Sequence, residues 1–145
     1  MKRFVLVATM LALGMSFAAA ESPIAERKAL MKKNGDAAKL GAQFVKGEAP
    51  FDLAKAKAIF ATYAAAAAKM PALFPADSKT GEKTEALPVI WEKMDDFKAK
   101  FQKLGTDAKA AEAKVTDLDS FKTQFSAVQK NCGGCHQTYR VKKKS

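Results

Sequence analysis

The chain has 145 residues, with 25 Lys and Arg against 15 Asp and Glu, a formal net charge of +10. A hydrophobic share of 48% excludes a mainly disordered chain, and the length suits one domain. Two cysteines and one histidine exclude a disulfide scaffold and any metal site built on paired histidines.

Met1-Lys2-Arg3 opens the chain, an apolar run follows from Phe4 to Phe17, and Ala18-Ala19-Ala20 supplies small residues before the polar Glu21-Ser22. This is the pattern of a secretory signal peptide, with cleavage expected after Ala20. The apolar run falls short of the roughly 18 residues expected of a spanning helix. The mature chain, 21–145, is therefore expected in a bacterial periplasm and not as an integral membrane protein.

Ala and Lys dominate the mature chain, and both favour helix. The first helix is predicted from Ser22 or Pro23 to Lys46, with Ser22 as cap and Pro23 in the first turn. Its apolar side carries Leu30, Met31, Ala38, Gly41, Phe44 and Val45. Lys46-Gly47-Glu48-Ala49-Pro50 breaks it. Asp52 caps a second helix that runs through Ile59, Phe60, Tyr63 and Ala64–Ala68 to Met70, where Pro71 ends it. Residues 71–86 read as one long loop. A third helix follows the seam Leu87, Ile90, Met94, Phe97, Phe101, Leu104, Ala108, Ala111 and Val115, with Gly105 as a point of weakness. Asp117 caps a fourth, whose seam is Leu118, Phe121, Phe125, Val128, Cys132, Cys135 and Tyr139. Such spacing suits helices crossing at small angles, and an antiparallel four-helix bundle is the expected all-α fold.

The chemistry concentrates at Cys132-Gly-Gly-Cys135-His136. A redox dithiol would normally open a helix in an α/β setting. A zinc site would need a fourth ligand after both cysteines and the sole histidine are used. The third reading is covalent haem attachment: two thiols three residues apart add to the two vinyl groups of one haem c, and His136 offers the iron a neutral imidazole nitrogen. An exported, all-helical chain favours this third reading. For the other side of the iron there is no second histidine, and the mature chain has Met31, Met70 and Met94. Met94 lies on a packing seam. Met31 sits among Leu30, Ala38 and Gly41, where small residues leave room for a planar group.

Five segments together carry a resemblance. They are Arg27-Lys-Ala-Leu-Met31-Lys-Lys-Asn-Gly35, Val45-Lys-Gly-Glu-Ala-Pro-Phe-Asp52, Leu73-Phe-Pro75, Pro88-Val-Ile-Trp91 and Cys132-Gly-Gly-Cys-His-Gln-Thr-Tyr-Arg140. In this order they resemble the class II cytochromes c, which comprise cytochrome c′ and its low-spin relatives of the cytochrome c-556 type. The resemblance implies a four-helix bundle with haem held near the C-terminus by Cys132, Cys135 and His136. It places Met31 on the iron's distal side, as sixth ligand if the chain follows the low-spin members, whose pattern Asn34-Gly35 resembles. Cytochrome c′ proper often leaves that position open. The resemblance also sets Arg27 near a haem propionate, where the residue's own position reads equally as a solvated helix face; it sets Arg140 close to His136 and Trp91 among the core aromatics.

The function expected is a periplasmic electron carrier rather than an enzyme, since distal Arg27 and Asn34 come without a histidine for acid–base work. The alternative is a five-coordinate protein that binds nitric oxide or carbon monoxide. Lys142-Lys143-Lys144 reads first as a solvated tail; as a functional element it would steer the chain toward an acidic redox partner. Nucleic acid is not expected, for want of a recognition motif. Monomer and homodimer both remain open, the family's dimers being built from the first two helices.

Overall fold

The structure is a computed structural model that describes residues 21–142. The expected signal peptide, with its cleavage after Ala20, and the tail residues Lys143 and Lys144 lie outside the described residues.

Four long helices form the fold: α1 (Pro23–Lys46), α2 (Leu53–Lys69), α4 (Met94–Lys114) and α5 (Leu118–Tyr139), with a single turn, α3 (Val89–Glu92), ahead of α4. Local chemistry sets their ends. Ser22 Oγ accepts from the Ala25 amide at 3.0 Å, and Gly47, at φ 74°, turns the chain out of α1 in the left-handed conformation. The Asp52 and Asp117 carboxylates cap α2 and α5, the latter in a reciprocal capping box with Ser120.

The expected third helix breaks at Lys93 (φ −122°, ψ 43°) rather than at Gly105. Gly105 sits inside an unbroken α4 and faces Ala67 of α2, whose Cβ a Cβ at this position would meet in ordinary contact at 3.4 Å. These two helices make the most extensive contact in the molecule. The long loop is partly ordered into 3-10 turns at Met70–Leu73 and Ala76–Ser78. Its end pairs with the end of α5 through an isolated bridge, Ala86 to Arg140, with the Leu87 amide donating to the Tyr139 carbonyl at 3.0 Å and the Val141 amide to the Glu85 carbonyl at 2.8 Å. Among the described residues no helix is long and apolar enough to cross a membrane.

The seams predicted for α4 and α5 are the core: Phe97, Phe101, Leu104, Ala108, Ala111, Val115, Phe121, Phe125 and Val128 are all buried. Val45, expected on the inner side of α1, is instead exposed, because Phe44 takes the inward position in that last turn and the next residue points about 100° away. Two aromatic groups divide the core. Phe121 is the hub of one, its ring centre 5.9 Å from Phe44, 5.7 Å from Phe60 and 5.1 Å from Phe125. Phe97 is the hub of the other, 4.7 Å from Phe74, 5.0 Å from Phe101 and 5.2 Å from Tyr139.

Candidate functional site

The Phe97 group does not fill its end of the bundle. A cavity of about 300 Å³ opens there. Met70, Phe74, Ile90, Phe97 and Phe101 form its apolar interior, and Arg27, Lys28, Lys83, Glu85 and Arg140 also line it. A second hollow of about 280 Å³ adjoins it, lined by Asn34, Gly35, Leu104, Gln129 and Cys132 among others. The two share Met31, Phe101, Cys135 and His136 as wall residues.

Local ties hold the motif on this wall. Asn131, beside Cys132, donates to the Asp107 carboxylate of α4 at 2.8 Å, and Gln129 donates to the Tyr63 hydroxyl of α2 at 3.0 Å. The Tyr139 hydroxyl donates to the Asp96 carboxylate. Burial and that carboxylate push the Tyr139 hydroxyl up to about 12.

Cys132 and Cys135 are free thiols, each half-buried. Burial raises both, and that of Cys135 reaches about 11, so the sulfurs are protonated at neutral pH. For His136, burial first and the Arg140 charge second push the imidazole below its usual value, partly offset by Glu85. The ring is therefore neutral and keeps a nitrogen lone pair for a metal. Among the described residues no group of three His, Cys, Asp or Glu side chains could hold a metal ion, which removes the support a zinc reading would need.

Met31 reaches the same cavity walls from α1. Met70 also lines the first cavity and is almost fully buried, whereas Met94 packs half-buried against the core. Arg140 lies beside His136 with its Nε buried and without a partner, a donor suited to an anionic group in the cavity. Asn34 Oδ1 is orphaned in the same way in the adjoining hollow.

Arg27 does not lie on a solvated helix face, one of the two readings of that position. It is 4% exposed, and its four terminal N–H groups go to the loop. Nη1 donates to the Leu73 carbonyl (3.1 Å) and Ser78 Oγ (2.9 Å), and Nη2 to the Ser78 carbonyl (2.8 Å) and Thr84 Oγ1 (2.9 Å). Its guanidinium carbon lies 4.5 Å from the centre of the Phe74 ring. Burial lowers the Arg27 pKa, partly offset by Glu82. Trp91 is structural: its indole N–H donates to the Phe74 and Pro75 carbonyls. The loop acceptors Ser78 and Thr84 carry no motif of their own, so the pattern of residues offered no sign of this hub.

The arrangement fits a haem. Two thiols and a neutral imidazole share the wall of an apolar hollow, a thioether lines it from another helix, and a cation with an unused donor stands beside the imidazole.

Comparison with known proteins agrees with this reading. The family model described as cytochrome C′ matches residues 22–140. A cytochrome c′ of Rhodopseudomonas palustris is 44% identical over 142 residues, covering 97% of each chain. A cytochrome c-556 of Agrobacterium fabrum is also 44% identical, over 131 residues, covering 90% of this chain and 87% of its own. The solved structure of cytochrome c′ from Rhodopseudomonas palustris superposes with a TM-score of 0.83 at 45% identity, covering 86% of this chain and all of the other. That of oxidised cytochrome c556 from the same organism gives 0.78 at 28% identity, covering 84% and 98%.

Proposed function

Because the chain belongs to the cytochrome c′ family, whose members bind c-type haem, we propose that its mature part, 21–145, is a periplasmic electron carrier and not an enzyme, with His136 and Met31 as the axial pair. Cys132 and Cys135 would hold the haem as thioethers, His136 would give the iron an imidazole nitrogen, and Met31 a thioether sulfur. The bound haem supplies a one-electron couple between ferric and ferrous iron, and a Met/His pair raises its potential.

The rest is the work of the chain. The low basicity of His136 keeps its nitrogen available at neutral pH. Met70, Phe74, Phe97 and Phe101 exclude water and keep the local dielectric low. α1 carries Met31 and α5 carries His136 within a packed bundle, so the two side chains that would hold the iron would need little rearrangement when its charge changes. Arg140 offers its buried Nε to a haem carboxylate. The loop occupies the terminal nitrogens of Arg27, which leaves only its Nε for a second carboxylate. The cationic surface steers the molecule toward an acidic redox partner.

The observation that carries the axial assignment is that Met31 and His136 line the same two hollows from different helices. A second reading has its own support: the cytochrome c′ and cytochrome c-556 relatives match at the same 44%. In that reading the distal position stays open and takes up nitric oxide or carbon monoxide. Visible spectra of the oxidised and reduced protein, with and without carbon monoxide, separate the two. The carrier gives low-spin spectra that ignore the gas, and Met31→Ala converts it to a high-spin, gas-binding form. High-spin wild-type spectra that shift with carbon monoxide would overturn Met31 ligation.

A further inference from the structure

The Arg27 hub has a geometry that haem binding alone does not call for. Its four acceptors are uncharged and lie along one arc of chain, Leu73 to Thr84, remote in sequence from α1. Ser78 Oγ accepts from Arg27 while donating to the Pro75 carbonyl at 2.9 Å, so the arginine also closes the 3-10 turn. Three neighbouring bonds also hold the arc: Lys28 Nζ donates to the Glu82 carbonyl at 2.9 Å, and the Trp91 indole N–H donates to the Phe74 and Pro75 carbonyls. Phe74, Lys83 and Thr84 of this arc are cavity wall. A buried guanidinium spreads its donors over separate nitrogens in a planar fork and holds four acceptors here, whereas a lysine has three donors on one atom.

We infer that Arg27 is a positioning residue: it latches the 73–84 arc onto α1 as one wall of the cavity and sets how fast small diatomic ligands reach the interior. The second half rests on the reading of the cavity as a haem site; the latch itself does not. Hydrogen bonds to a buried charge are among the stronger ones, so loosening them frees the arc before the bundle unfolds.

The test uses two variants of the holoprotein. Ser78→Ala with Thr84→Val removes both hydroxyl acceptors and keeps the arginine and its charge. Arg27→Lys keeps the charge and removes the fork. Amide hydrogen exchange is read as protection factors, referenced to each residue's intrinsic rate, at positions 78 and 84, whose N–H groups donate to the Pro75 and Gly81 carbonyls. Carbon monoxide uptake is timed in a Met31→Ala background. In both variants, exchange across the arc is expected to quicken at least about tenfold, with α2 and α5 unchanged and gas uptake accelerated. Exchange and uptake within about twofold of the parent in the Ser78→Ala/Thr84→Val protein would overturn the latch. A pH-dependent shift of reduction potential confined to Arg27→Lys, with exchange across the arc unchanged, would overturn it as well, because it would assign the arginine to a haem carboxylate alone. If the purified protein carries no covalent haem, the proposed function fails, and the exchange data alone decide the latch.

Discussion

Gly41→Ala tests whether the spacing of α1 and α5 is set by a bare backbone. A Cβ built on Gly41 lies 2.4 Å from Phe125 Cε2 and 2.6 Å from Cζ, against ordinary contact at 3.4 Å or more. One of the two must yield by about 1 Å. The ring has little freedom: it stacks on Phe121 at 5.1 Å, and Phe121 is 0% exposed and wedged against Phe44 and Phe60. The shift therefore falls on α1. Overpacking costs about 1–3 kcal/mol, and the gain from replacing a mid-helix glycine with alanine offsets about 0.8–1 kcal/mol. The net loss is about 1 kcal/mol. Gly133 has nothing within 4 Å of its would-be Cβ, so Gly133→Ala isolates the propensity gain. Urea unfolding of both variants with haem attached gives the comparison. The Gly41 variant is expected about 2 kcal/mol below the Gly133 variant. Because α1 bears Met31 and α5 bears His136, its high-spin fraction should rise as well. A Gly41→Ala protein as stable as the Gly133 variant would refute the reasoning.

Phe121→Ala, which empties the hub of the solid aromatic group, is expected to cost about 3–5 kcal/mol in the same unfolding assay, and a loss below about 1 kcal/mol would mean the core recloses. Ser22→Ala removes the α1 cap and is expected to cost about 1 kcal/mol, with faster amide exchange confined to the first turn. Tyr139 is protonated more firmly in the folded chain, at about 12, than in the unfolded one, near 10. Its contribution to stability is complete below pH 10 and is lost as pH rises toward 12. Ultraviolet titration should show neither of the two tyrosines ionising near pH 10, and Asp96→Asn should bring one of them to lower pH; an unmoved titration would remove Asp96 as a cause.

The bundle, its caps and the attachment motif were legible in the residues because their physics is local or periodic. Ser22, Asp52 and Asp117 cap through side chains a few atoms from the amides they satisfy. The 4-3 seams of α4 and α5 bury wherever partner helices stand, and two thiols and an imidazole in five residues share a wall simply because a helix carries them. Other features depended on what lies across the gap. Phe97 and Phe121 occupy equivalent seam positions, yet one borders a cavity and the other a solid core. Gly105 suggested a break, but α4 runs through it unbroken against Ala67 of α2; the real break, at Lys93, carries no breaker residue. Arg27 read as solvent-facing or haem-facing, and only the fold brings Leu73, Ser78 and Thr84 within reach of its guanidinium. A buried charge is decided by acceptors some fifty residues away, and no helical period encodes that distance.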